Sequence, residues 1–337
     1  MTLSELLFLM ADVNRRDLLA NIAEGWFPDD GPPDFVFGQN SVFHFGARGR
    51  SEVKATVVHL AADYRDRTAP PPKLLVQDGR TANIASGADI QNMLLASGND
   101  DQTGGDLKEQ YFAPQKSLSF FIKNVDGRNA QRPTSSYFTC LADGEDYPLP
   151  GIVQHHDNYE TVDSDRGAFV ARFVDTCAAL QVFYSVSGFG PLTTSYNSYK
   201  SVRNFPIFKR FPGLMYWNNG LTVPEGDRSD DWILDVNWLT GINEAMLDRV
   251  GGYKAARSIL PAEVLIHRFD GGVVFQAGEK PRLGDHNVGD LPTAYRAVNR
   301  LLVPLRYPDW QSLRYVRAPE PVGAQQATSA WISRFDE

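Results

Sequence analysis

A chain of 337 residues with 42% hydrophobic and 22% charged residues has the composition of an ordinary globular protein, large enough for one big core or two medium ones. Its 41 acidic against 33 basic side chains leave a net charge of -8, which disfavours nonspecific nucleic-acid binding because phosphates repel it. No stretch approaches the ~20 apolar residues of a membrane span, and the run LLFLM at 6–10 is too short for a secretory core, so a cytoplasmic protein is expected.

Cys140 and Cys177 form no CxxC. They read as small buried hydrophobes in a reducing compartment, with a single disulfide left open.

In chain order, Val53, Val57, Leu60 and Tyr64 mark one stripe of a helix over 51–64, closed by the prolines at 70–72. A short strand is predicted at 73–76, a helix at 88–97, then an exposed polar loop. SLSFFIK at 117–123 and SYFTCLA at 136–142 read as strands. Ser164 is placed to cap a helix whose inner face is Phe169, Val170, Phe173, Val174, Cys177 and Leu180. A strand at 182–186 should end at the breaker Gly188-Phe189-Gly190-Pro191. Alternation predicts a strand at 232–238, and Thr240 a capped helix running to Gly251-Gly252. Strands at 264–269 and 273–277 flank Asp270-Gly271-Gly272, a hairpin signal. A helix at 295–302 follows, then a flexible stretch at 318–330 and an anchor with Trp331, Ile332 and Phe335. Irregular alternation with hairpins predicts an α+β fold with a mixed, largely antiparallel sheet or sheets and packed helices.

Three motifs invite a chemical reading and fall short of it. His155-His156-Asp157 lacks the further ligands of a metal site, and neighbours on a strand would face opposite ways, so a loop is expected. Asp285-His286 has no nucleophile elbow to serve, and reads as a turn whose side chains bond backbone amides. Gly188-Phe189-Gly190 lacks the third glycine of a nucleotide loop. No catalytic residue, metal or cofactor is assigned from these motifs.

Charge is the sharper signal. Between 143 and 165 lie Asp143, Glu145, Asp146, Asp157, Glu160, Asp163 and Asp165 with no Lys or Arg, and Glu225, Asp227, Asp230 and Asp231 form a second group. Such runs are usually solvated; they also suit an electrostatic docking face for a basic partner, with Tyr147 and Tyr159 as aromatic anchors.

The segment VNWLT at 236–240, Gly251-Gly252, the run 274–278, Leu283-Gly284-Asp285, the YRAVNRLLVPLR helix and the turn Phe211-Pro212-Gly213-Leu214 together resemble the TsiV family of type VI secretion immunity proteins. The resemblance runs from about residue 117 to the end. It divides the chain into a divergent N-terminal α/β portion, 1–115, and an immunity region, 116–337, packed as one compact unit. It implies a cytoplasmic antitoxin that binds and occludes a cognate effector, basic and nuclease-like, without touching nucleic acid or membrane itself; a homodimer stays open. The toxin-binding candidates are then Asp143, Glu145, Asp146, Tyr147, Asp157, Tyr159, Glu160, Asp163, Glu225, Asp227, Asp230 and Asp231. The competing readings are a small-ligand-binding module, which requires a large apolar cavity, and an uncharacterised hydrolase, which requires a buried acid/base cluster in a pocket.

Overall fold

The computed structural model describes residues 35–46, 50–77, 80–95, 118–124, 137–142, 150–193, 205–216, 231–319 and 321–336. Its frame is one ten-stranded sheet in the order β3-β2-β4-β5-β6-β1-β7-β8-β10-β9. The strands are β1 (Phe35–Phe45), β2 (Leu74–Gln77), β3 (Arg80–Asn83), β4 (Leu118–Lys123), β5 (Tyr137–Ala142), β6 (Gly151–Asn158), β7 (Val182–Thr193), β8 (Leu239–Asn243), β9 (Val264–Phe269) and β10 (Gly272–Ala277). Every ladder between them is antiparallel, so the fold is α+β with an antiparallel sheet, and the single parallel pairing is an isolated bridge, Ile233 to Arg306, among the described residues.

β1 occupies the middle, paired with β6 on one side and β7 on the other. Its residues Gln39, Asn40 and Ser41 are fully buried, so the partners their polar atoms find matter to the fold. Gln39 Nε2 donates to Ser187 Oγ at 2.9 Å, the Ser41 and Ser187 hydroxyls lie 2.9 Å apart, and Asn40 Oδ1 lies 2.6 Å from His156 Nδ1. These side-chain bonds form only in the observed pairing, with Ser41 opposite Ser187 and Asn40 opposite His156, so the polar row helps to fix the register of the three central strands.

The helices are α1 (Arg50–Arg67), α2 (Gly87–Leu95), α3 (Tyr159–Ser164), α4 (Arg166–Leu180), α5 (Phe205–Arg210), α6 (Glu244–Arg249), α7 (Gly252–Ile259), α8 (Thr293–Leu302) and α9 (Gly323–Ile332). One sheet face takes α1 and α4: Tyr64 packs on Phe138 and His155, and Phe173 on Phe43. α4 buries Phe169, Val170, Phe173, Cys177 and Leu180, the face read from the sequence, with Val174 partly buried. The opposite face takes the segments 211–216 and 231–238 together with α9: Trp232 packs on His44 and Phe183, and Trp331 on Tyr216.

Four local expectations give way to tertiary structure. Residues 232–238 join no ladder, and the strand is Leu239–Asn243, so Thr240 lies inside β8 and Asn243 caps α6 by accepting from Met246 N at 2.8 Å. β7 does not stop at Gly188; it continues to Thr193, with Pro191 paired to Phe37. The glycines there serve close approach: a Cβ on Gly188 would overlap the Asn237 amide, and one on Gly190 the Met215 carbonyl. α4 is capped one residue later than expected, Asp165 accepting from Ala168 N at 2.9 Å. Residues 323–332 form α9, not a flexible stretch, because Ala327, Thr328, Trp331 and Ile332 are buried against the body. Cys140 and Cys177 are both buried free thiols.

Trp238 is wholly buried, stacks on Phe169 at 5.9 Å and donates from Nε1 to the Gly278 carbonyl at 2.9 Å. It therefore ties the start of β8, α4 and the end of β10 together. Trp238→Ala is expected to cost about 3–5 kcal/mol through the cavity it leaves. Chemical denaturation checks this; a variant with the parent's midpoint would contradict the packing role.

Candidate functional site

The residues that look most like chemistry lie in the core. His155, His156 and Asp157 are on β6, not in a loop, and all three are buried. As strand geometry requires, the two imidazoles diverge. His155 faces α1, its Nδ1 2.7 Å from Asp157 Oδ2 and its ring among Phe43, Tyr64 and Phe138. His156 faces the other side and meets Asn40. Arg67, at the end of α1, donates from Nη1 to Asp157 Oδ1 at 2.8 Å, and Tyr64 Oη bonds the His156 carbonyl. Burial alone pushes the Asp157 carboxyl up; His155 and Arg67 more than offset this and hold it well below the usual carboxylate range. The ion pair staples α1 to β6. No group of three or more His, Cys, Asp or Glu suited to a metal occurs among the described residues.

Asp285 is likewise structural. Its Oδ1 accepts from Asn287 N at 3.0 Å, the turn geometry expected, and its carboxylate also receives Arg210, with Nη2 to Oδ2 at 3.1 Å.

The acidic candidates separate once placed. Asp143, Glu145, Asp146, Tyr147, Glu225, Asp227 and Asp230 lie outside the described residues. Asp157 is the correction: buried and paired, it offers no charge to a surface partner. Asp231 is exposed and paired with Arg249 on α6 at 2.9 Å. Tyr159, Glu160 and Asp163 come together on α3, which Asn158 caps by accepting from Glu160 N at 2.8 Å. Glu160 and Asp163 are exposed, and Tyr159 sits edge-on to Phe189 at 4.8 Å.

α3 borders two grooves that share Glu279 in their walls. The larger, about 710 Å³, runs between the α3–α4 junction and the β9–β10 hairpin; Asp163, Asp165 and Asp175 line one wall and His267, Gln276 and Glu279 the other. The smaller, about 440 Å³, is floored by Tyr159 and Phe189 and bounded by Glu279, Lys280 and Arg282. Arg166 bridges the walls, donating to Asp163 at 2.6 Å and Glu279 at 3.2 Å. Sequence reading missed Glu279, Asp175 and the GEKPR loop at 278–282. The composition of that loop signalled only a turn, and its approach to α3 is set by the sheet. A third hollow of about 430 Å³, between α5 and α9, is lined by Phe205, Phe208, Val316 and Trp331 with Lys209 and His286 at its polar side.

Among solved structures, the T6SS protein PA0821 of Pseudomonas aeruginosa has a similar fold, with a TM-score of 0.70 at 18% identity over 91% of this chain and 83% of that one. At that identity the likeness concerns the fold. No curated protein matches the chain. The class comes from the family comparison: residues 161–335, more than half of the sequence, match the model described as type VI immunity for VRR-NUC. The chain belongs to that family, TsiV, as its C-terminal motifs imply. The matched span begins within α3, later than the resemblance from about residue 117, so β1 to β6 lie before it.

The buried groups predict an acid-sensitive fold. Burial lowers His44 to about 3 and His156 to about 4, so both stay neutral when folded and take up protons near ~6.5 when unfolded. Their contribution is complete above ~6.5 and declines as pH falls below it; that of Asp157 is complete above ~4 and declines below. Urea midpoints should therefore drop between pH 7.5 and 5.5, and again towards pH 3.5. A flat profile would contradict these assignments.

Proposed function

We propose that this chain is the antitoxin of a VRR-NUC effector: it binds the nuclease and covers the surface that engages DNA. Membership of a type VI immunity family carries the reading. The acidic balance of -8 supports it, since a nuclease presents positive surface to phosphates and an acidic partner is steered towards it. Among the described residues no helix is long and apolar enough to cross a membrane. A nuclease acts where DNA is, so we place the protection in the cytoplasm.

The docking candidates are the exposed acids of α3, Glu160 and Asp163 with Tyr159 beside them, and the acidic stretch that holds Asp143, Glu145, Asp146 and Tyr147. The second group, Glu225, Asp227, Asp230 and Asp231, is the alternative contact. Neutralising Asp143, Glu145, Asp146 and Glu160 together should slow association with the nuclease at low salt and flatten its ionic-strength dependence, with folding nearly unchanged. Stopped-flow rates equal to the parent's across a salt series would move the contact to the second group.

The reading assigns no chemistry to this chain. His286, exposed beside the α5–α9 hollow, is the candidate a hydrolase or ligand site would use. His286→Ala should protect cells co-expressing the nuclease as well as the parent does. Loss of protection in a stable His286→Ala variant would favour the enzyme or ligand reading instead.

A further inference from the structure

β9 ends the sheet, and the register of its hairpin determines which backbone groups it leaves over. Ala277 N donates to the Trp238 carbonyl at 2.7 Å, so Val273, Phe275 and Ala277 turn their amides and carbonyls towards β8. Gly272, Val274 and Gln276 therefore serve β9, where their partners are Phe269, His267 and Leu265. The N–H and C=O groups of Ile266 and Arg268 point away from the sheet, and no strand pairs with them among the described residues. Val264 N is already taken by the Pro261 carbonyl at 3.0 Å, which marks one end of the open stretch. An uncovered edge of this kind is ordinarily blunted by bulges, proline or covering structure. β9 has no bulge in its register with β10 and no proline, and it leaves Leu265 47% exposed.

The larger groove lies on the same flank. His267 and Gln276, joined at 2.8 Å, face α4 across it. The opposite wall is acidic: Asp163, Asp165 and Asp175, with Glu279 at the end of the hairpin. Arg166 is shared between Asp163 and Glu279, and Arg268 lies over the Tyr253 ring at 5.4 Å. Asp175 is exposed and carries no ion pair among the described residues. A strand laid on β9 would send every second side chain to this flank, and the charge there suits Lys or Arg.

We propose that β9 is a strand-addition site, and that its occupant is an extended segment of the effector nuclease with basic side chains at alternate positions. Ile266 and Arg268 hold its backbone, and Asp175 with Glu279 selects its charge. This deepens the proposed function and rests on it.

Proline distinguishes backbone pairing from a side-chain contact. At position 268 the N–H points outward, so Arg268→Pro keeps the β9–β10 ladder and removes only a donor for the added strand. Arg268→Ala removes the same side chain and keeps the donor. Calorimetry against the nuclease domain of the cognate VRR-NUC effector should show Arg268→Pro about tenfold weaker, and Arg268→Ala close to the parent. Parent affinity in a folded Arg268→Pro variant would overturn the proposal. If Arg268→Pro does not fold, Asp175→Lys decides: weaker binding that recovers in high salt supports it, and unchanged binding overturns it. Light scattering adds a further arm, since an Arg268→Pro change from dimer to monomer with nuclease binding intact would mean that a second copy occupies the edge, and would also overturn it. A parent protein that does not bind the nuclease at all fails the proposed function itself, before any variant is compared.

Discussion

The structure depends on burying a polar strand at its centre. β1 brings Gln39, Asn40 and Ser41 into the middle of a ten-stranded sheet, where each must be matched by a side chain on β6 or β7. Ser187 meets Gln39 Nε2 and the Ser41 hydroxyl, and His156 meets Asn40 Oδ1, while Gln39 Oε1 and Asn40 Nδ2 have no partner among the described residues. An unpaired buried amide or hydroxyl costs about 1–3 kcal/mol, so losing the bonds to Ser187 and His156 would be costly. The same logic governs the Arg67–Asp157–His155 network, which would resemble acid/base machinery if it were exposed. Packed among aromatic rings, it positions α1 on the sheet.

With the centre fixed in this way, the groups proposed for docking lie at its rim. α3 leaves β6 directly through the Asn158 cap, so its acids lie at one end of the sheet. β9 lies at the edge, held by a two-residue turn in which Gly271 adopts φ 99°. The groove between them is the meeting of a helix start and a hairpin far apart in sequence. Its walls carry charges that are mostly shared or solvated: Arg166 is shared between Asp163 and Glu279, and Asp175 is exposed.

Much of the frame was legible from residue pattern. The inner face of α4, the β9–β10 hairpin and the strands at 118–123 and 137–142 follow from periodicity and turn chemistry, and the family from motifs in the C-terminal half. What was not legible depended on distant partners. β1 went unread because its buried polar residues look like a solvated segment until Ser187 and His156 are placed beside them. Gly188 and Gly190 looked like a strand breaker, when they make room for Asn237 and Met215. Asp157 counted as surface charge because nothing local announces Arg67, 90 residues earlier. Asp175 and Glu279 were invisible as a site for the same reason, since only the fold sets them across one groove.

Hydrogen exchange of this protein, alone and with the effector nuclease, tests the account most directly. The outward amides of Ile266 and Arg268 should exchange rapidly in the free protein while those of β1 remain protected. Adding the nuclease should slow exchange at β9 and along α3 and leave β1 unchanged. Exchange that the nuclease alters nowhere in the chain would contradict the claim that this protein acts by binding it.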